Sequence, residues 1–180
     1  MKKLLLLMIA IMMGQSVLAA DKNPLTKEQS AKLIEAAIRK AVKKPEGEIT
    51  KADLEKVTSL RLVDKNLNDM PKGLEKLTQL TTLHLDHNQL TNMKGLEKLT
   101  QLTHLSLFNN QLTNVKGLEK LTRLEVLVLA VNQLVDVKEL KKLTQLETLW
   151  LQGNSGLTKA KIAELKKALP KCNISSNARK

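Results

Sequence analysis

The sequence predicts an α/β solenoid: a right-handed stack of short coils, with a parallel sheet lining its concave side and helical caps at both ends. Two observations predict it. Leu83, Leu105, Leu127 and Leu149 recur every 22 residues, each followed two residues later by another leucine: Leu85, Leu107, Leu129 and Leu151. Asparagine follows in step at Asn88, Asn110, Asn132 and Asn154. A pattern L-x-x-L-x-L-x-x-N at a fixed period of 20–29 residues builds one strand and one return leg per coil. Such stacks offer an extended surface rather than an enclosed pocket.

The array has distinct ends. Residues 1–19 read as a secretory signal peptide, with Lys2 and Lys3 as the basic region, Leu4 to Met13 as the apolar run and Val17-Leu18-Ala19 before the cut. Ten apolar residues are too few to cross a bilayer comfortably. No cysteine follows them, so a lipid anchor is not expected, and neither is a second apolar stretch near the C-terminus. The mature chain is expected to be exported, periplasmic or extracellular. Cys172 is the single cysteine, so no intramolecular disulfide is available and stability must come from leucine burial.

Residues 20–48 form the expected N-terminal cap. Thr26 and Gln29 make a capping box, and Ile34, Ala37, Ile38, Ala41 and Val42 share a helical face ended by Pro45 and Gly47. A second box, Thr50-x-x-Asp53, starts a turn or short helix carrying Leu54 and Val57. Five strands are expected within 49–157. The first, Ser59 to Leu62, is atypical, since 23 residues separate Leu60 from Leu83 and Lys65 stands where asparagine should. The paired leucines point inward at period 2. The return leg adds Leu90, Met93, Leu96 and Leu99 and their equivalents, and each asparagine bonds backbone groups at the bend. In 158–180, Thr158 opens a helix with Ile162, Leu165 and Leu169 on one face. Cys172 and Ile174 then form a closing strand opposite Leu149 and Leu151, leaving Ser175–Lys180 as a loose tail.

The run Leu102 to Arg123 resembles the bacterial 22-residue leucine-rich repeat class, of which the internalins are best known. The resemblance covers roughly residues 49 to 157. It implies protein–protein recognition, often at a cell surface. An immunoglobulin-like module and a wall-sorting tail are not expected here, so invasion and covalent display are not implied.

The formal net charge is +12, and +10 without Lys2 and Lys3. This favours anionic partners in general. Lys72, Lys76, Lys94, Lys98, Lys116 and Lys120 recur in K-G-L-E-K-L, however, with Glu75, Glu97 and Glu119 among them. We read this as a solvated outer face.

The residues beside the paired leucines face the concave surface, where everything rare in the chain lands: the single Phe, the single Trp and all three His. Phe108, Val126, Val128, Ala130, Val131 and Trp150 are expected to form a continuous apolar patch across three strands. Such patches mark interaction sites, and Trp is a favoured anchor. His84, His104 and Asp86 extend the candidate binding surface. Together with His87 they supply zinc-type ligands, but the spacing is poor because His87 leaves at the turn. Exposed histidines on a recognition surface, sensitive to pH, fit better than a metal, and no cofactor is expected.

No nucleophile motif, phosphate loop or enclosed acid pair is present, and Cys172 reads as a structural thiol. The sequence therefore predicts a non-enzymatic module that binds a protein or peptide through its concave face. The alternative is adhesion to an anionic envelope polymer or lipid through the lysine face; nucleic acid and stable membrane insertion are not expected. The concave floor projects to only about 250–300 Å², against about 800 Å² per partner in a standard interface. Peptide-sized recognition suits it.

Overall fold

A computed structural model of the chain describes residues 24–178; the signal-peptide reading falls outside them. Helix α1 (Lys27–Val42) is followed by the short helix α2 (Lys51–Glu55) and strand β1 (Ser59–Arg61). Strands β2 (Thr82–His84), β3 (His104–Ser106), β4 (Val126–Val128) and β5 (Thr148–Trp150) follow. Helix α3 (Lys159–Ala168) and strand β6 (Asn173–Ser175) end the array. The six strands form one parallel sheet in chain order. The first four return legs each carry a tight 3-10 turn: Leu74–Lys76, Leu96–Lys98, Leu118–Lys120 and Lys138–Lys142. None of the helices among the described residues is long and apolar enough to cross a membrane.

The register follows the period. Leu60, Leu83, Leu105, Leu127 and Leu149 align across the sheet, and all are buried, as are Leu62, Leu85, Leu107, Leu129 and Leu151. The return leg completes the core with Leu90, Met93, Leu96 and Leu99 and their equivalents. Each leucine fully removed from water contributes roughly 1.5–3 kcal/mol, which is how a chain without a disulfide holds so shallow a stack together.

The asparagines close each bend and link each coil to the one before. Asn110 Nδ2 donates to Leu85 O (3.0 Å) and Leu107 O (3.2 Å), while its Oδ1 accepts from Leu90 N (3.0 Å). Asn132 and Asn154 repeat this pattern one and two coils later. Asn88 also serves the irregular first coil, since its Oδ1 accepts from Lys65 N and Leu67 N. One amide side chain thus satisfies backbone groups that the core leaves without water.

Both expected capping boxes form, Thr26 with Gln29 and Thr50 with Asp53. Helix α1 buries Ile34 and Ile38 against the first coil, with Leu33, Ala37 and Val42 packed beside them. Ala41 departs from expectation: it is exposed, because the buried stripe runs through Leu33 rather than through position 41.

The C-terminal end corrects the sequence reading in three respects. Ile174, not Cys172, pairs with Leu149, so the closing strand enters two residues later than the leucine spacing suggested. Helix α3 is longer than a 3-10 turn, and its return leg consumes the extra residues. Cys172 consequently precedes the strand, half-buried rather than sealed in the core, and burial pushes its thiol above the usual value. The tail is tied down: Asn177 Oδ1 accepts from Gly153 N at 2.9 Å, and Ala178 packs on the core.

Candidate functional site

The exposed sheet face carries three outward columns. The first runs Ser59, Thr82, His104, Val126, Thr148 and Asn173, and the second Arg61, His84, Ser106, Val128, Trp150 and Ser175. A third lies just beyond the strands, where Phe108 sits alongside Ala130, as shown by Leu107 N to Val128 O (2.9 Å) and Asn109 N to Ala130 O (3.0 Å). The columns are rigid because each is one residue removed from a buried leucine.

Trp150 is 49% exposed and lies directly across from Val128 on one side and Ser175 on the other. Val126, Val128 and Phe108 are half-buried. Phe108 also meets the His87 ring edge-on, with centroids 5.1 Å apart. Ala130 corrects the expected patch: it is buried, at 5% exposure, since a methyl group at that position lies below its neighbours. The patch is therefore not continuous through Ala130. Phe108 meets His87, while Val126, Val128 and Trp150 occupy neighbouring strand positions.

Val131 is exposed at the rim with a backbone φ of 56°. Asp64, His87 and Asn109 occupy the same left-handed turn position in earlier coils. Asn and Asp tolerate that conformation, whereas a β-branched residue there is a genuine outlier. Val135, the most exposed large apolar side chain among the described residues at 53%, was not among the residues the sequence singled out. Its signal was present, because Val135 stands where Thr91 and Thr113 stand in the preceding coils. Comparing coils position by position, rather than reading strands alone, finds Val131 and Val135 together as apolar replacements of polar residues in one coil.

The polar candidates are built into the scaffold. Asp86 is not a free acid: its Oδ1 accepts from the Ser106 hydroxyl and from Phe108 N (3.0 Å), and its Oδ2 lies 3.7 Å from His84 Nδ1. It fixes the strand that presents Phe108. His104 Nδ1 is 2.9 Å from Thr103 Oγ1, and His87 Nδ1 is 2.9 Å from Asn109 Nδ2. The three histidines have separate partners. Among the described residues no three His, Cys, Asp or Glu side chains gather as a metal set. Gln152, two residues after Trp150, donates to Ser175 Oγ and leaves its Oε1 unpaired.

Sequence comparison matches the Leucine Rich repeats (2 copies) family at residues 78–120, 100–141 and 122–167. The chain belongs to the leucine-rich repeat family. An internalin (inlF) from Listeria monocytogenes superposes with a TM-score of 0.73 at 27% identity, over 90% of this chain and 49% of its own length. A leucine-rich repeat protein of Leptospira interrogans gives 0.63 at 32% identity, over 71% and 34%. An internalin C2 (inlC2) from Listeria gives 0.50 at 22%, over 81% and 84%, and shows the shared fold alone. This leucine-rich repeat chain spans about half the length of the first of these and about a third of the second. No curated protein matches its sequence. As a leucine-rich repeat fold it is a scaffold of the type used for interaction.

Proposed function

We propose that this protein is a non-enzymatic binding module that takes a protein segment or peptide on its concave sheet face, and that it works after export, in the periplasm or outside the cell. One observation carries the binding reading. The single tryptophan of the chain is half exposed on a rigid strand, beside Val128. Leaving an indole in water forfeits burial free energy that a partner recovers, which is why Trp anchors so many interfaces. The polar residues Thr148 and Ser175 beside it supply hydrogen-bonding groups. The leader-like residues 1–19 support export.

The test uses the protein's own fluorophore, since the chain has one Trp and no Tyr. A displayed peptide library is selected on the wild type and counter-selected on Trp150→Ala. Binders should shift Trp150 emission to the blue and protect it from acrylamide. Binders that hold Trp150→Ala equally well and leave the emission unchanged would refute the site. Intact mass of exported chain should show a start at Ala20.

A further inference from the structure

The lysine rows on the opposite side of the coils read differently once the glutamates between them are located. Glu75, Glu97 and Glu119 do not neutralise those lysines by pairing. Each carboxylate instead turns back to cap its own 3-10 turn, accepting from Gly73 N at 2.8 Å, Gly95 N at 2.6 Å and Gly117 N at 2.7 Å. The carboxyl of Glu97 is held below its ordinary value first by a bond from its own backbone N–H, with the fields of Lys120 and Lys98 the smallest contributions. Among the described residues none of Lys72, Lys76, Lys94, Lys98, Lys116 and Lys120 forms a salt bridge, and all six are exposed.

These lysines lie in two rows, one just before the stacked 3-10 turns and one at their last residue. Neighbouring coils advance by about 4.8 Å, so each row sets like charges close together along the array. Like charges so arranged repel, and each coil retains two ammonium groups against one carboxylate already engaged by backbone. At its first coil the strip opens onto a cleft of about 740 Å³ lined by Lys27, Lys72 and Lys94, with Asn68, Asn92 and Asp69 between them.

We propose that this face binds a linear, non-nucleotide phosphate polymer lying along the solenoid axis, its phosphates distributed over successive coils. Charge complementarity selects a polyanion. The groups are lysines, which meet phosphate as point charges without a fixed bidentate geometry. The one Phe and the one Trp lie on the sheet face, so the strip offers no stacking platform for bases. Among the described residues the exposed large apolar side chains are Val131, Val135 and Trp150, and none belongs to the two lysine rows, so the strip itself carries no anchor for insertion into lipid. The proposal is independent of the sheet-face reading.

The test measures end-labelled long-chain polyphosphate binding by anisotropy across a salt series. Two variants with equal loss of charge are compared. One removes the strip through Lys94→Gln, Lys98→Gln, Lys116→Gln and Lys120→Gln. The other removes exposed charges elsewhere, through Lys40→Gln, Lys159→Gln, Lys166→Gln and Lys167→Gln. The strip variant should lose more than about tenfold in affinity and flatten the log–log salt dependence by roughly three, as loss of four phosphate contacts requires. The second variant should change by less than about threefold. Unchanged Trp150 emission and urea midpoints verify folding. Equal losses in both variants would overturn the proposal, as would competition by triphosphate at matched phosphate concentration. So would tighter binding of oligouridylate, or strip-dependent binding to phosphatidylglycerol vesicles without polyphosphate binding.

Discussion

Val131 and Gly153 occupy the same turn position in adjacent coils, and Val131 sits there at φ 56° with no room between them. A Cβ on Gly153, itself at φ 75°, would lie 3.1 Å from the Val131 backbone. The valine is held in place from both sides, since its N–H donates to Gln152 O (2.7 Å) and its carbonyl accepts from Asn110 N (3.2 Å). Left-handed backbone at a side-chain-bearing residue costs roughly 1–2 kcal/mol. Val131→Asn, restoring the residue type of Asn109, should therefore raise stability by about 1 kcal/mol in urea unfolding. If Val131 serves the sheet-face partner, the same variant should bind more weakly. Gly153→Ala should destabilise, through both strain and the close approach. No gain from Val131→Asn would show the strain to be absent.

The asparagine ladder sets a second expectation. Asn110→Ala leaves Leu90 N without its side-chain partner inside the stack, while Leu85 O and Leu107 O keep the amides of Asn88 and Asn132. An unsatisfied buried group costs about 1–3 kcal/mol, so the loss should fall in that range. The adjacent Asn109→Ala removes an exposed side chain and should cost far less, mainly through its left-handed backbone. Comparable losses at the two positions would mean that the ladder carries no particular load.

Asp86 and Ser106 supply a third. The carboxylate joins the Ser106 hydroxyl to Phe108 N across neighbouring coils. Ser106→Ala should cost about 1 kcal/mol, a typical net value for a lost hydrogen bond and rather more than a solvent-facing serine is worth. Asp86→Ala should cost more, because it leaves both donors unanswered. Nuclear magnetic resonance shifts around Phe108 and His84 should move in both variants.

Acid should loosen the N-terminal cap. Lys44, bonded to Asp53 at 2.9 Å, holds the Asp53 carboxyl well below the usual carboxylate range, helped by the Thr50 N–H and hydroxyl. A carboxyl lowered in the folded state contributes stability that is fully present above its unfolded value of about 3.9 and is lost as pH falls toward the folded value. The stability difference between wild type and Asp53→Asn should thus be constant above about pH 5 and shrink below about pH 4. A difference independent of pH across that range would sever Asp53 from the acid response.

The fold was legible because its decisive interactions repeat. Period 22 places leucine on leucine and asparagine on the preceding coil, and these contacts recur from coil to coil, so spacing alone encodes them. The capping boxes were legible for a related reason, since their partners lie three residues apart. The candidate site was legible in part: alternation put Trp150, Val128 and Phe108 on the sheet face, and the structure keeps them there.

What spacing could not supply depends on the volume and reach of particular neighbours. Ala130 drops out of the exposed surface because its side chain is shorter than those around it. Asp86 becomes a strand clamp because the Ser106 hydroxyl and Phe108 N lie within its reach across the sheet. Glu97 serves its own turn because Gly95, at φ 103°, turns its N–H toward the carboxylate. Helix α3 shifts β6 by two residues because the last return leg is built differently from the others. The sequence by itself determined the repeating coil, its buried leucines and its asparagine bends. Only tertiary structure decided which outward side chains are free and which are already engaged, because that depends on distances between residues that no period relates.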